Sequence, residues 1–512
     1  MSEASSSIEH QCHIAADICQ RARLSRDARF DGRFFTGVFS TGIYCRPICP
    51  APAPLEKNVR YFDSPVQAAN AGLRPCLRCR PDSAPNSRAW LGTQATFNQA
   101  VEFIDQGVMS GDDGISIAQL AEQLAITPRY LNKLFNTHIG TSAKQYALYR
   151  QVLFAKQLLV ESQLAITDIA FASGFNSIRR FNDAFKNILT LAPSDVRRQA
   201  IAEESSGQIT LKLSYRPPFA WDYLIGFYRV RQVAGMEWVT GDCYRRSFNI
   251  SGVIGVMTVH HDAAKHRLLL SIELNDPKDI SQLMMLVSRI RRMLDVDADM
   301  AQIGLGLSSY QALGAEVTQG IRIPGVPTAF EAACRAVLGQ QVSVTQACKL
   351  LNTLVEHYGE RVMIQGQSYL LFPTAKRLAN ASLKMFKMPN SRKQALIGLA
   401  QFVAEHPDAK VEDWLQVKGI GPWTIAYTQL RGEQQPDVLL SSDLVIKNGL
   451  KCYLKKQQSE ISAKRYQKFA DELAAKVSPW GSYLTLQIWH QATLNSDKTS
   501  APAHEPRSPT NK

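Results

Sequence analysis

Apolar positions recur with two different periods along the chain, and the changes of period divide it into segments. Residues 95–200 repeat near 3.6, which predicts helix after helix. Residues 208–295 alternate instead: Ile209, Leu211 and Leu213, then Val253 to Val259, then Leu268 to Leu274. Alternation predicts strands, with helices near Trp221–Gln232 and Ile280–Leu294. Residues 328–494 return to the helical period. Residues 10–88 follow neither rule and are rich in Arg, Cys and Pro. The polar stretches Arg80–Ser87 and Glu203–Gly207 read as linkers, and Ser496–Lys512 as a disordered tail. The expected units are therefore 10–88, 92–200, 207–320, 321–495 and the tail 496–512. A chain of 512 residues agrees with that count, at roughly 100–200 residues per domain.

Charge narrows the partners. Fifty-eight Lys and Arg oppose 45 Asp and Glu, a net +13. The excess is concentrated: residues 21–88 hold 12 basic against five acidic side chains, and residues 207–512 hold 36 against 26. Two basic regions suit two contacts with a polyanion such as double-stranded DNA. No run of about 18 apolar residues exists, so no membrane span is expected. The Ser-rich N-terminus lacks the apolar core of an export signal, which makes the cytoplasm the expected location.

Four of the ten cysteines cluster as Cys45-x3-Cys49 and Cys76-x2-Cys79, with 26 residues between the pairs. In a large chain without an export signal, paired thiols at this spacing point to one tetrahedral Zn2+, structural or reactive. In the helical segment, Ile117–Ala125 precedes Thr127-Pro128, a helix cap followed by a first-turn proline. Ile166–Ala172, a turn at Ser173-Gly174 and the basic stretch Ser177–Lys186 repeat the pattern. Helix, short turn and basic helix is the helix-turn-helix arrangement, whose second helix enters the major groove. Further on, Gly419-Ile420-Gly421 forms a hairpin between helical stretches, where backbone N–H groups can meet a phosphate. Asp443 follows in the first turn of another helix, where an acid is also common for structural reasons alone.

The strings Phe34–Val38, Thr41–Pro47 and Gly72–Cys79 resemble the N-terminal domain of the Ada methylation-response family. The resemblance implies that Cys45 accepts a methyl group from a DNA methylphosphotriester, and that Thr41, Arg46, Arg74 and Arg78 face the DNA. Pro50-Ala51-Pro52 departs from that family, which often has a basic residue after the second cysteine. Gly174-Phe175, Phe181, Phe185-Lys186 and Ala192-Pro193 resemble the AraC-type DNA-binding domain, with Arg129, Lys133, Arg179 and Arg180 as implied contacts. Phe135, Phe181 and Phe185 are expected in the core.

From Ile209 to Thr493 the chain resembles helix-hairpin-helix glycosylases of the AlkA, 3-methyladenine type. The carrying strings are Pro217–Phe227, Phe330–Ser343, Leu415–Ala426, Leu439–Lys447 and Pro479–Tyr483. The resemblance implies Asp443 as the catalytic carboxylate and Phe227, Trp423, Tyr427 and Trp480 as walls of the base pocket. It also places Gln340 and Gln341 at the wedge and Gly419 and Gly421 against the DNA backbone. Carbonyls of Leu415, Val417 and Gly419 would hold a monovalent cation. Two departures stand out: Gln341 is polar where an apolar wedge is usual, and Ser442 replaces a second acid. Trp423 occupies the place of the strand-cleaving lysine, so a monofunctional enzyme is expected.

The implied architecture is multidomain: a small α+β zinc domain, an all-α double helix-turn-helix domain, a small α+β domain and an all-α helix-hairpin-helix glycosylase domain. The implied function joins hydrolytic excision of alkylated bases to methyl transfer and transcriptional activation, with RNA polymerase as a further partner. The rival reading is a non-catalytic, zinc-dependent regulator whose glycosylase half only binds DNA.

Overall fold

The computed structural model describes residues 12, 14–27, 30–32, 34–63, 65–79, 81, 93–111, 114–199, 209–455 and 462–500. Apart from Pro81, both expected linkers lie outside the described residues. The chain divides into two compact units: Met1–Ile104 with Ser116–Tyr146, and Asp105–Ile115 with Ala147–Lys512. Among the described residues no helix is long and apolar enough to cross a membrane.

The first unit holds a four-stranded sheet. Strand Phe35–Val38 pairs antiparallel with Ile43–Cys45 on one side and Val59–Phe62 on the other. Arg74–Pro75 adds in parallel beside Ile43–Cys45. Phe35, Tyr44, Phe62, Ala68 and Leu73 form its small core. Gly37 is required there, because a Cβ would come within 2.5 Å of both Leu73 and Phe62. The adjacent parallel strands Ile43–Cys45 and Arg74–Pro75 carry Cys45 and Cys76 to the same place. In the first helix-turn-helix, Ser116 and Gln119 make a capping box at the start of Ile117–Gln123. Thr127 caps Pro128–Ile139 as the sequence predicts, accepting from Tyr130 N at 3.2 Å.

The second unit begins with the repeat of that motif. Ile166–Ala172 leads through Gly174, at φ 80°, to Ile178–Leu189, which Ser177 caps. A Cβ at Gly174 would sit 2.6 Å from Ser110 Cβ and 2.8 Å from Gly111 N, so the turn admits only glycine. Phe181 and Phe185 are fully buried, as expected. An antiparallel sheet of five strands follows, in the order Ile209–Ser214, Arg267–Leu274, Val253–Asp262, Cys243–Ile250, Glu237–Thr240. The last two strands escape the alternation rule because they bury a charged pair, Arg246 in the first and Glu237 in the second. Arg246 bonds Glu237 at 3.1 Å and Glu331 at 3.0 Å. Arg335 joins the same two carboxylates at 2.9 and 2.7 Å. This closed set of two cations and two anions fastens the sheet to the helix Ala329–Gly339.

The remaining helices include Val344–Tyr358, Asn390–Glu405, Pro422–Gly432, Leu444–Lys455, Ala463–Val477 and Gly481–Ser500. Three expectations are corrected. A hairpin, Arg361–Ile364 with Gln367–Leu370, interrupts the all-helical segment. It turns through Gln365 and Gly366, both at positive φ. Met300, Ile303, Leu307 and Tyr310, expected with the small domain, pack among the C-terminal helices, because their helical spacing matches the apolar face of Leu440, Ile446 and Leu484. The last helix continues to Ser500, past the expected tail start at Ser496. The first proline beyond it is Pro502.

Candidate functional sites

Two sites emerge, one in each unit. In the first, the sulfurs of Cys45, Cys49, Cys76 and Cys79 lie within 4.8 Å of one another. A tetrahedral Zn2+ with bonds of about 2.3 Å places its sulfurs about 3.8 Å apart, so the cluster fits the ion and constitutes a Zn2+ site. Hydrogen bonding from Cys45 holds the Cys49 thiol far below its ordinary value, and Cys45 in turn is pushed far up by Cys49. Cys45 and Cys49 are partly exposed, while Cys76 and Cys79 are buried. Only the first pair is open to an incoming reactant.

Thr41, Arg74 and Arg78 stand exposed on this domain, free to face a phosphate backbone. Arg46 departs from its expected place. Its side chain is buried and paired with Asp31, and its backbone N–H donates to Cys79 Sγ at 3.4 Å. It supports the cluster from inside, with its guanidinium also donating to the Cys79 carbonyl at 3.4 Å. In the helix-turn-helix motifs, Arg129 and Lys133 are exposed on Pro128–Ile139, and Arg179 and Arg180 on Ile178–Leu189.

The second site is a cleft of about 1360 Å³. The hairpin leads into it: Gly419 has φ 91°, and a Cβ there would come 2.6 Å from Ala395 Cβ. Gly421 then opens the helix Pro422–Gly432, whose first turns place Trp423 and Tyr427 on one wall, ring centroids 5.4 Å apart. The carbonyls of Val417 and Gly419 each accept one hydrogen bond, from Ile420 N and Gln340 Nε2, which leaves each a second lone pair. Asp443 sits at the start of Leu444–Lys455. Its Oδ1 accepts from the backbone N–H groups of Val445 and Ile446 at 3.0 and 3.2 Å. Two indoles complete its shell: Trp423 Nε1 donates to Oδ2 at 3.3 Å, and Trp489 Nε1 to Oδ1 at 3.2 Å. The carboxylate is fixed in position while it faces the cleft.

Trp489 was missed from sequence, and Trp480 stands corrected. Trp480 precedes the helix Gly481–Ser500 and packs edge-on to Tyr483, at 6.0 Å, and against Gly306. It is not among the lining residues. Trp489, Ala492 and Thr493 are the helix face that reaches the cleft, at spacings of three and four. The legible signal was an indole in a largely apolar helix, since a buried N–H needs an acceptor. Gln340 also turns inward, donating to Thr424 Oγ1 at 3.1 Å, whereas Gln341 is exposed at φ 56° on the turn between helices. Phe227 lines the cleft, with the guanidinium carbons of Arg231 and Arg431 at 3.7 and 4.8 Å from its ring centroid. Arg431 also donates to Tyr427 Oη at 2.9 Å. Burial alone would lift the Tyr427 phenol, but Arg431 and Arg231 outweigh it and hold it below its usual value.

Comparison with known proteins agrees with this layout. Residues 18–82 match the metal binding domain of Ada, 120–199 a helix-turn-helix domain, and 210–327 the AlkA N-terminal domain. The probable bifunctional transcriptional activator/DNA repair enzyme AlkA of Mycobacterium tuberculosis is 33% identical over 495 residues, 93% of this chain and 96% of its own. DNA-3-methyladenine glycosylase 2 of Escherichia coli is 33% identical over 298 residues, 56% of this chain and 99% of its own. The bifunctional transcriptional activator/DNA repair enzyme AdaA of Bacillus subtilis is 28% identical over 200 residues, 39% of this chain and 90% of its own. Fold and sites define a modular DNA-binding protein that joins a zinc–thiolate domain and a double helix-turn-helix to a helix-hairpin-helix glycosylase fold. The chain belongs to the family of bifunctional transcriptional activator/DNA repair enzymes of the AlkA type.

Proposed function

We propose that this protein removes alkylated bases, 3-methyladenine among them, from double-stranded DNA by hydrolysing the N-glycosidic bond. Through Cys45 it also takes a methyl group from a DNA methylphosphotriester, and that transfer is coupled to sequence-specific DNA binding and transcriptional activation. The observation that carries the reading is Asp443, held by two indole N–H groups in an aromatic cleft behind a Gly-x-Gly hairpin.

The chemistry follows from the geometry. A base must leave the stack before its glycosidic bond is reachable, and the exposed turn at Gln341 supplies the group that fills the gap. Trp423, Tyr427 and Trp489 offer ring faces to an electron-poor alkylated purine. As the C1′–N bond breaks, its electron pair stays on the base and positive charge builds on the sugar. The fixed Asp443 carboxylate stabilises that charge and takes a proton from the water that adds to C1′. Among the described residues lining the cleft, Asp443 is the one carboxylate, and the place of a Schiff-base lysine is held by Trp423, so the strand is left intact.

At the other site, Cys45, Cys49, Cys76 and Cys79 would hold Zn2+, which would keep their thiolates deprotonated and nucleophilic near neutral pH. Cys45 sulfur attacks the methyl carbon, and the phosphodiester leaves as a stable anion. With Zn2+ held by the four cysteines, the methylation would take the cluster from −2 to −1, weakening its repulsion of DNA near Arg74 and Arg78. RNA polymerase is the partner expected of an activator, and the cytoplasm the compartment. The test is Asp443→Asn: duplex binding should persist while base release stops. Undiminished release would remove the carboxylate from the mechanism, and no release by a folded, DNA-binding wild type would leave a regulator alone.

A further inference from the structure

The second helix-turn-helix repeat shares its core with the glycosylase half. Leu158, Leu159, Ile169 and Val196 of the helical segment belong to one continuous buried cluster with Ile209, Leu211, Leu283 and Leu286 of the small domain. Two polar joints fix this contact. Strand Ile209–Ser214 lies at the edge of the five-stranded sheet, where backbone groups lack a neighbouring strand. Helix Ala143–Glu161 supplies partners at Lys212, whose N–H donates to Glu161 Oε2 at 3.0 Å. Gln157 Nε2 lies 3.5 Å from the Lys212 carbonyl and donates to Glu161 at 2.9 Å, which closes the ring. The second joint holds the turn of the repeat itself. Gln151 Nε2 donates to the Gly174 carbonyl at 3.3 Å and to Ser110 Oγ at 3.4 Å, and Ser110 Oγ reaches Met284 Sδ at 3.4 Å.

The turn at Gly174 sets the direction of helix Ile178–Leu189, so these joints fix that helix relative to the sheet. Arg179, Arg180 and Lys186 stand exposed on it, and the contact with the small domain leaves them uncovered. A DNA-reading helix on a loose tether would have to be ordered each time the protein bound. Here the ordering is completed when the chain folds. A duplex that engages both the cleft and this helix therefore gains the second contact without a further ordering cost.

We propose that the second helix-turn-helix repeat is a duplex-holding element of the glycosylase, in which Arg179 and Arg180 are positioning residues that grip phosphates of the DNA whose base is being excised. The assignment rests on the excision reading above. The two charges add affinity by displacing counterions from the duplex, and they leave the bond-breaking step to Asp443. The repeat thus serves repair as well as regulation.

The test is single-turnover release of 3-methyladenine from a methylated duplex by the full chain, over a range of protein and salt concentrations. Arg179→Ala with Arg180→Ala should raise the half-saturating protein concentration at least about tenfold rather than lower the maximal rate. The same pair should reduce the slope of log affinity against log salt by about two. Arg179→Lys with Arg180→Lys should keep the wild-type slope. Gln157→Ala with Glu161→Ala unfastens the sheet edge and should also raise the half-saturating concentration, and in that background the arginine pair should matter less than in the wild type. An arginine variant with an unchanged half-saturating concentration and salt slope would overturn the assignment. So would effects of the joint and the arginines that simply multiply, the mark of a loose tether. No release by a wild type that binds the duplex would overturn the excision reading, and the assignment with it.

Discussion

Glu331→Gln tests what holds the cleft together. Glu331 is 2% exposed and accepts from Arg246 at 3.0 Å and from Arg335 at 2.7 Å. The substitution keeps the shape but leaves two buried guanidinium groups to share Glu237. Breaking a buried pair in this way costs about 3–5 kcal/mol, since the stranded charge cannot return to water. For a unit of this size that lowers the unfolding midpoint by roughly 5 °C. Burial alone would raise the Glu331 carboxyl, but Arg246 and Arg335 outweigh it and hold it below its ordinary value. The stabilisation is therefore present above the unfolded carboxyl pKa and lost as pH falls through the folded one. The wild type should lead Glu331→Gln by the full margin at pH 7, and the lead should shrink in acid. Thermal unfolding followed by circular dichroism reads both, and Arg246→Met with Glu331→Leu should recover much of the loss. A single variant within about 1 kcal/mol of wild type at pH 7 would refute the view that this set carries the sheet-to-helix joint.

Three further outcomes are expected. Cys45→Ser should abolish the gain of one methyl group in intact-protein mass after exposure to methylated DNA, and a gain that persists would move the acceptor to another thiol. Trp489→Phe keeps a ring and removes one N–H from Asp443, so kcat should fall about tenfold with KM little changed, whereas a change confined to KM would make Trp489 a binding surface only. Asp295 is half-buried and raised to about 6 by loss of hydration, with Ile323 N and Tyr483 Oη bonded to it. Relative to Asp295→Asn, the wild type should lose about 3 kcal/mol as pH rises from about 4 to 6, and parallel pH profiles would contradict this.

Much of this was legible in the residues. Periodicity located the helices and three strands of the five-stranded sheet, and the cysteine spacing alone foretold the metal site. What stayed hidden was hidden by interactions distant in sequence. Arg246 reads as a surface residue until Glu331, 85 positions away, is seen to neutralise it. Arg46 likewise looks like a phosphate contact until Asp31 claims it. Trp480 and Trp489 lie nine residues apart, and only the direction in which the last helix leaves Gly481 decides which of them meets Asp443.

The most direct measurement is single-turnover release of free 3-methyladenine from a methylated duplex, full-length wild type beside Asp443→Asn. Release by the wild type, with the variant slower by at least about a hundredfold yet still bound to the duplex, is the predicted result. Equal rates for the two proteins would contradict the account.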